Sequence, residues 1–187
     1  MEDSALAAAA AGGDQRAFAI LVERYRRYIY AIAWRIVLDE EEALDVAQET
    51  LIKLSRNIGR WQARGSFRSW LGAIASRTAL DRRRAPARRM RPVDPQWFAA
   101  GGRGRLVGSA EAAPSPVEIL VAAERRERVH AAMVVLAPQQ RAILQLRLVE
   151  GLLPAEIAER LGIPARQVRS QLSRAVIRLK AELAEGE

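Results

Sequence analysis

Residues 154–175 read PAEIAERLGIPARQVRSQLSRA, which is a short helical pattern, a glycine and a second helical pattern. Gly162 permits a sharp turn between the two patterns, and Ile163 is placed to pack beneath that turn. Two packed helices joined by a tight turn are typical of a helix-turn-helix. The apolar residues that define the two inward faces are Ile157, Ala158, Leu161, Val168, Leu172, Ala175 and Val176.

The second pattern carries a polar face opposite its apolar one. Arginine and glutamine can pair bidentately with base edges in the major groove, and serine and arginine also reach phosphates. A solvated helix face is the alternative, but the turn and the apolar spacing agree with a DNA reader. The predicted base- and phosphate-contacting residues are Arg166, Gln167, Arg169, Ser170, Ser173 and Arg174.

Charge and composition narrow the classes of function. The 187-residue chain has a net charge of +8, which suggests a polyanionic partner, either nucleic acid or an acidic membrane surface. It has no cysteine and one histidine, His130, so disulfides, thiolate-ligated zinc and histidine-based catalytic sites are not expected. We expect no metal, no cofactor and no small-molecule substrate.

The N-terminal residues give no targeting signal. Residues 1–11 are alanine-rich, but Glu2 and Asp3 are acidic where a secretory signal needs positive charge. No apolar run reaches the length that spans a bilayer. A cytoplasmic protein is the expectation.

Helical periodicity covers the chain on both sides of a central segment without a period. Amphipathic patterns run from about Asp14 to Val37, from about Glu40 to Ile58, and from Gly65-Ser66 to the basic run at 81–84. Residues 86–116 hold five prolines and the stretch GGRGR, which indicates a flexible linker; Trp97-Phe98 is its one apolar spot. Helical patterns resume at Pro116. The predicted fold is all-α, with helical domains at 12–85 and 117–187 joined by this linker.

A basic and aromatic segment at 56–84 reads RNIGRWQARGSFRSWLGAIASRTALDRRR. Arginine neutralises phosphate and aromatic rings stack on unpaired bases, so the segment suggests a surface for single-stranded or locally melted DNA. The alternative is that the rings are core residues. This alternative is favoured for Trp70, because Trp70 lies on the same apolar stripe of the helix as Leu71 and Ile74. The candidates are Arg60, Trp61, Arg64, Ser66, Phe67, Arg68, Trp70, Arg77, Arg82 and Arg83.

The pattern from Glu40 to Ile58 also has a polar, acidic patch. Asp45, Gln48 and Glu49 lie at i, i+3 and i+4, so they share one face of the helix. From periodicity alone this face is a solvated surface as readily as a docking surface.

Four segments together resemble the extracytoplasmic-function (ECF, group IV) sigma factors of bacterial RNA polymerase. GDQRAFAILVERYRRYIYAIAWRIV (13–37) resembles the opening helix of that family, and ALDVAQETLIKL (43–54) resembles the helix that follows. SFRSWLGAIASRTALDRRR (66–84) and the stretch from residue 136 to 183 resemble its two DNA-contacting segments. The resemblance covers most of residues 12–85 and 117–184.

The resemblance implies a mechanism and partners. Asp45, Gln48 and Glu49 would dock on the clamp of the largest subunit of core RNA polymerase. The segment from Arg60 to Arg84 would contact the −10 promoter element and trap a flipped base. Residues 166–174 would read the −35 element. The resemblance also implies control by a cognate anti-sigma factor. It implies that the protein itself is a specificity subunit of the polymerase and catalyses no covalent chemistry.

Three positions depart from the family pattern. Arg77 stands where an asparagine is frequent, which leaves the −10 base preference open, because arginine can hold phosphate or prefer guanine. Leu44 replaces a frequent glutamate and Gln167 a frequent threonine.

Two rival interpretations are a stand-alone helix-turn-helix activator or repressor and a nucleic-acid enzyme. A simple regulator does not need the basic and aromatic segment or the acidic helix. An enzyme of this kind usually needs clustered carboxylates for metal ions, and Asp39–Glu42, the one such cluster, starts a helix.

Overall fold

The described part of the protein is built from helices. The computed structural model describes residues 2–61, 65–84 and 131–185, and no strand occurs in these ranges, which confirms the all-α fold class. A 3-10 turn lies at Ile58–Arg60, and residues 131–134 are helical. The described α-helices are α1 (Asp3–Ala11), α2 (Gln15–Val37), α3 (Glu40–Asn57), α4 (Phe67–Arg84), α5 (Pro138–Leu148), α6 (Pro154–Leu161) and α7 (Ala165–Glu185).

Some sequence predictions fall outside these ranges. The linker at 86–116, Trp97-Phe98, Arg64 and the helical stretch predicted up to residue 130 lie outside the described residues.

The helix starts follow from local side-chain chemistry. The carboxylate of Asp14 accepts hydrogen bonds from the backbone nitrogens of Arg16 and Ala17, which caps α2. Asp39 caps α3 in the same way through the Glu42 nitrogen at 2.8 Å. The Ser66 hydroxyl accepts from the Ser69 nitrogen at 3.1 Å and starts α4. The predicted starts of these three helices are therefore confirmed.

Helix α1 was not predicted from the sequence. Its alanine-rich turns bury Leu6 and Ala7 completely, and it packs on α2 and on the 3-10 turn. The Asp3 carboxylate accepts hydrogen bonds from Arg24 and from the Tyr25 hydroxyl, which fixes α1 along α2. The missing sequence signal is periodicity, because alanine contributes almost equally to every face.

One apolar core runs through the N-terminal half (α1–α4) and the C-terminal half (residues 131–185). Helix α5 packs against α2 and α4, and α6 packs against α4. Burial of these large side chains is the main favourable term in folding. The sequence left open whether the halves touch, and the structure packs them together. The shared core includes Leu21, Ile29, Ile32 and Ile36 of α2, Val46 and Leu54 of α3, Leu71 of α4, Ile143 and Leu146 of α5, and Ile157 of α6.

The approach of α4 to α2 depends on Gly72. A Cβ at this position would overlap the Tyr28 hydroxyl oxygen and would lie 3.5 Å from Ile32 Cδ1. Glycine is normally about 1 kcal/mol worse than alanine inside a helix. Here it is tolerated because it lets the Tyr28 ring lie against α4.

Replacement of Gly72 by alanine should therefore destabilise the protein. We expect Gly72→Ala to lower the free energy of unfolding by about 1–3 kcal/mol, as overpacking does, measured by urea denaturation. Gly59→Ala is the matched control, since a Cβ at Gly59 meets nothing within 4 Å.

The cause of that loss can be tested in a double mutant. Tyr28→Phe removes the overlapping oxygen, so Gly72→Ala should cost little in the Tyr28→Phe background. An equal cost in both backgrounds would contradict the proposed overlap.

Candidate nucleic-acid interfaces

The helix-turn-helix forms as the sequence predicts. Ile157, Ala158 and Leu161 are buried on α6, and Val168 and Ala175 are completely buried on α7. Gly162 takes a left-handed conformation with φ of 66° and ends α6. The Glu156 carboxylate accepts from the Leu153 nitrogen at 2.7 Å and fixes the start of α6. Val176, predicted to face inward, is 43% exposed instead.

The polar face of α7 is open to solvent. Gln167 is half-buried, and its side-chain nitrogen donates to the Gln139 side-chain oxygen of α5 at 3.3 Å. This contact fixes the first turn of α7 against α5. The remaining predicted residues, all exposed, are Arg166, Arg169, Ser170, Ser173 and Arg174.

The aromatic rings of the segment at 56–84 divide into two groups. Phe67 is 2% exposed and packs edge-on against Tyr25 and Trp61, with ring centroids at 5.4 and 5.6 Å. Trp61 and Trp70 are half-buried at the edge of this cluster. The placement favours a structural role for Phe67, and leaves Trp61 and Trp70 as the rings that a base could reach.

The predicted basic residues also divide. Arg60, Arg77 and Arg83 are exposed, as is Ser66. Arg68 instead contacts both halves: its guanidinium carbon lies 4.6 Å from the centroid of the Tyr28 ring of α2, and its Nε lies 3.6 Å from a carboxylate oxygen of Glu150 in the C-terminal half. Arg82 binds the Asp45 carboxylate of α3, and its side chain is 8% exposed. Arg68 and Arg82 are therefore engaged within the protein rather than free for phosphate.

A cavity of about 350 Å³ opens between the C-terminal part of α3 and the outer face of α4. Its size is at the lower end of the range for small-ligand sites. The α4 residues of the lining, at positions 70, 74, 77, 78 and 81, follow helical spacing. This spacing is the sequence signal that places Thr78 and Asp81 on the same face as Trp70 and Arg77, although neither was predicted as a site residue. The lining consists of Lys53, Asn57, Arg60, Trp70, Ile74, Arg77, Thr78 and Asp81.

The acidic residues of α3 do not form one exposed patch. Gln48 is 8% exposed and therefore lies in the protein interior. Asp45 is bound by Arg82, and Glu49 pairs with Lys53 at 2.8 Å. The acidic pattern of α3 does not show these partners, because they come from α4 and from the next turn of α3.

Arg141 of α5 joins the two halves. Its guanidinium is buried; Nε donates to the Ile36 carbonyl at 2.8 Å, and Nη1 donates to the carbonyls of Met133 and Leu136 at 3.2 and 3.0 Å. Ile36 lies in the last turn of α2, where carbonyls lack helical partners. Burial lowers the pKa of Arg141, and Arg83 lowers it further.

A second polar contact surrounds Glu150, between α5 and α6. Its side chain is 3% exposed, and one carboxylate oxygen lies 3.6 Å from Nε of Arg68. Burial raises the pKa of Tyr28, and its hydrogen bond to Glu150 raises it further. Arg35 donates to the Gln145 side-chain oxygen at 3.1 Å nearby. These contacts hold the C-terminal half against α2 and α4.

Two segments of the chain match known families of Sigma-70 regions. Residues 21–89 match Sigma-70 region 2, and residues 126–179 match the region 4 family of Sigma-70. A relative in Pseudomonas aeruginosa, the RNA polymerase sigma-H factor, is 34% identical over 168 residues, which cover 87% of this chain and 84% of the relative. The ECF RNA polymerase sigma factor SigW of Bacillus subtilis is 29% identical over 177 residues, 91% of each chain.

The chain belongs to the extracytoplasmic-function sigma factors of RNA polymerase. The fold agrees: a solved Bartonella quintana structure, the sigma factor RpoE in complex with the anti-sigma factor NepR, superposes with a TM-score of 0.58 at 18% identity, over 89% of this sigma factor and 96% of that chain. The predicted resemblance is confirmed. The stand-alone regulator is not favoured, because the sigma factor carries region 2 as well as region 4. Sigma factors are regulatory proteins, and no helix of the described residues is long and apolar enough to cross a membrane.

The contacts of Arg141 predict how the halves of this sigma factor separate. Arg141→Met removes the charged donors from three carbonyls, so we expect it to raise the ratio of open to closed molecules by about tenfold or more. Because the chain has no cysteine, dyes on Ser55→Cys and Ala181→Cys can report the separation by single-molecule energy transfer. Arg147→Met is the matched control, since Arg147 donates to Leu152 within its own half. Equal distance distributions in both variants would argue against this role of Arg141.

Proposed function

We propose that this sigma factor binds core RNA polymerase and directs it to promoters through two DNA-contacting faces. The observation that supports the proposal is the presence of both faces on one chain. The exposed arginine face of α7 and the basic cavity between α3 and α4 belong to different halves. The protein acts as a specificity subunit and carries out no covalent chemistry of its own.

The proposed −35 contact is made by α7. Its exposed arginines lie on the face opposite Val168 and Ala175, so the helix can enter a major groove without disturbing its core. Arginine there can donate to O6 and N7 of guanine or to phosphate. Gln167 is less available, because it already bonds Gln139.

The proposed −10 contact is made by Trp61, by Trp70 and by the cavity that Trp70 borders. Arg60 and Arg77 line that cavity and supply positive charge there, whereas Arg83 lies outside the lining and pairs with Glu42 at 3.5 Å. Stacking on an aromatic ring is worth about 1–3 kcal/mol per base, and it requires a base that has left the duplex. The face therefore favours melted DNA.

The two halves have to separate for both contacts to form. The −10 and −35 elements are centred about 25 base pairs apart, which is roughly 85 Å along the duplex. In the closed structure the Arg77 guanidinium lies about 4 Å from the space that a Cβ of Gly162 would occupy. Helix α7 has 21 residues, or about 32 Å of length. The closed form cannot reach both elements at once.

Partners follow from the family. We propose docking on the clamp of the polymerase through α3, with Asp45 and Glu49 becoming available when Arg82 and Lys53 are displaced; Gln48 needs a larger adjustment. An anti-sigma factor is a further proposed partner, as the Bartonella quintana complex contains one. The site of action is the cytoplasm, where the polymerase and the promoter DNA are found.

Reconstitution with bacterial core polymerase tests the proposal. We expect a stable complex in gel filtration and run-off transcripts whose start sites share −35 and −10 motifs. No complex, together with tight binding to duplex DNA by the free chain, would overturn the proposal in favour of a simple regulator.

In the same assay, Arg169→Ala and Arg174→Ala should each weaken −35-dependent initiation by about 1–3 kcal/mol. Lys180→Ala, an exposed cation farther along α7, is the control.

The two aromatic groups should respond differently to substitution. Trp70→Ala should reduce promoter opening, seen by permanganate reactivity of the bubble, while duplex engagement and thermal stability change less. Phe67→Leu should lower the melting temperature, since it removes a buried ring from the cluster. A normal bubble with Trp70→Ala would show that this ring does not contact the melted strand.

A further inference from the structure

The cavity between α3 and α4 has polar groups of unequal availability. The Lys53 ammonium pairs with Glu49 and donates to the Thr78 hydroxyl at 3.2 Å. The Thr78 hydroxyl donates in turn to the Ile74 carbonyl at 2.8 Å. The Asn57 amide nitrogen donates to the Lys53 carbonyl at 2.8 Å. These donors are therefore committed to holding α3 and α4 in place.

Arg77 and Asp81 remain available in the same cavity. They lie four residues apart on α4, so they occupy one face, and opposite charges at this spacing commonly form an ion pair. Yet both are exposed, and neither has a hydrogen bond or salt bridge with any other residue that the structure describes. One carboxylate, that of Asp81, and two guanidinium groups, those of Arg77 and Arg60, thus line the cavity beside the half-buried ring of Trp70. Of the two arginines, Arg77 shares the α4 face of Asp81 and Trp70.

The carboxylate of Asp81, the guanidinium of Arg77 and the indole of Trp70 together suit one unpaired base better than the others. An ionised carboxylate only accepts hydrogen bonds, and a guanidinium only donates them. Guanine presents two adjacent donors, N1–H and the N2 amino group, which match the two oxygens of a carboxylate. Its O6 and N7 acceptors suit an arginine. Its ring can stack on an indole.

The other bases fit less well. Cytosine and adenine offer one amino donor to a carboxylate, but each places a ring-nitrogen acceptor directly beside that donor. The lone pair of that nitrogen would face the second carboxylate oxygen. Thymine has a single N–H between two carbonyl acceptors. A carboxylate therefore discriminates against all three relative to guanine.

We propose that this cavity receives one unpaired guanine of the opened promoter strand, with Asp81 accepting from its N1–H and N2 amino group and Arg77 donating to its O6 and N7. Trp70 stacks on the ring. The inference rests on the proposed −10 contact and specifies its base. Asp81 is then a specificity-determining residue that the sequence analysis did not select.

Transcription from a promoter pool tests the assignment. The reconstituted holoenzyme is given promoters randomised across the melted −10 region, and transcripts are sequenced. We expect one position of the non-template strand at which guanine is favoured by roughly ten- to a hundredfold over each other base. A library that is transcribed without such a position overturns this inference alone. A library that is not transcribed at all overturns the proposed function, and this inference with it.

Base analogues identify the contacts in the wild-type protein, independently of how any variant folds. Inosine at the selected position lacks only the N2 amino group, so open-complex formation should fall about tenfold. With 7-deazaguanine, which lacks N7, a smaller loss is expected from the Arg77 contact. Inosine that supports opening as well as guanine does would exclude the Asp81 assignment.

Variants complete the test. Asp81→Asn replaces one acceptor oxygen by a donor, so the variant should no longer distinguish guanine from inosine at that position. Glu41→Gln is the matched control, because Glu41 is an exposed carboxylate at the start of α3, outside the cavity lining. It should keep the full preference for guanine. Discrimination that persists unchanged in Asp81→Asn would overturn the proposal.

Discussion

The buried guanidinium of Arg141 is the constraint on which the closed arrangement depends. A charged group without solvent is costly unless its donors are satisfied, and the carbonyl that accepts from Nε belongs to the other half of the chain, at the end of α2. The end of that helix also gains, because its last carbonyls have no partner within the helix. One side chain therefore satisfies two needs at once, provided that α5 lies against α2. Around it, Ile143 and Leu146 complete the apolar core that α2 begins.

The contacts that stabilise the closed arrangement lie next to the surfaces proposed to bind DNA. The contact between Arg68 and Glu150 joins a side chain of α4 to the C-terminal half. The turn of the helix-turn-helix lies close to Arg77, at the edge of the cavity assigned to the melted strand. The exposed face of α7 stays accessible throughout. In the proposed function, closure prevents the two faces from contacting both promoter elements together, while each face keeps its own local structure. A partner that binds the halves more tightly when they are apart shifts this equilibrium by its differential affinity.

Within the N-terminal half, packing decides which residues can meet DNA. Phe67 lies between Tyr25 and Trp61 and links α1, through the bond of Asp3 to Tyr25, with the beginning of α4. The rings at the edge of this cluster remain partly open, and one of them, Trp70, borders a cavity that is also lined by Asp81 and by the exposed Arg60 and Arg77. Lys53 and Thr78, by contrast, are engaged within the protein, since Lys53 donates to the Thr78 hydroxyl and pairs with Glu49, and the Thr78 hydroxyl donates to the Ile74 carbonyl. The face is therefore packed where it is buried, and its unpaired polar groups lie where it is open.

The sequence by itself determined helices α2 to α7, the caps at Asp14 and Asp39, and the helix-turn-helix. Asp14, Asp39 and Gly162 act on backbone groups within a few residues, so local chemistry was sufficient to place them. The same local period identified the outward face of α7. Only the tertiary structure decided that Phe67 is core, that Arg68 and Arg82 are engaged, that Gln48 is buried and that Asp81 faces a cavity. Each of these outcomes depends on a partner far away in sequence, because a helical pattern shows which residues share a face and not what that face meets. Helix α1 was missed for the related reason that an alanine-rich helix acquires a buried side only when another helix packs on it.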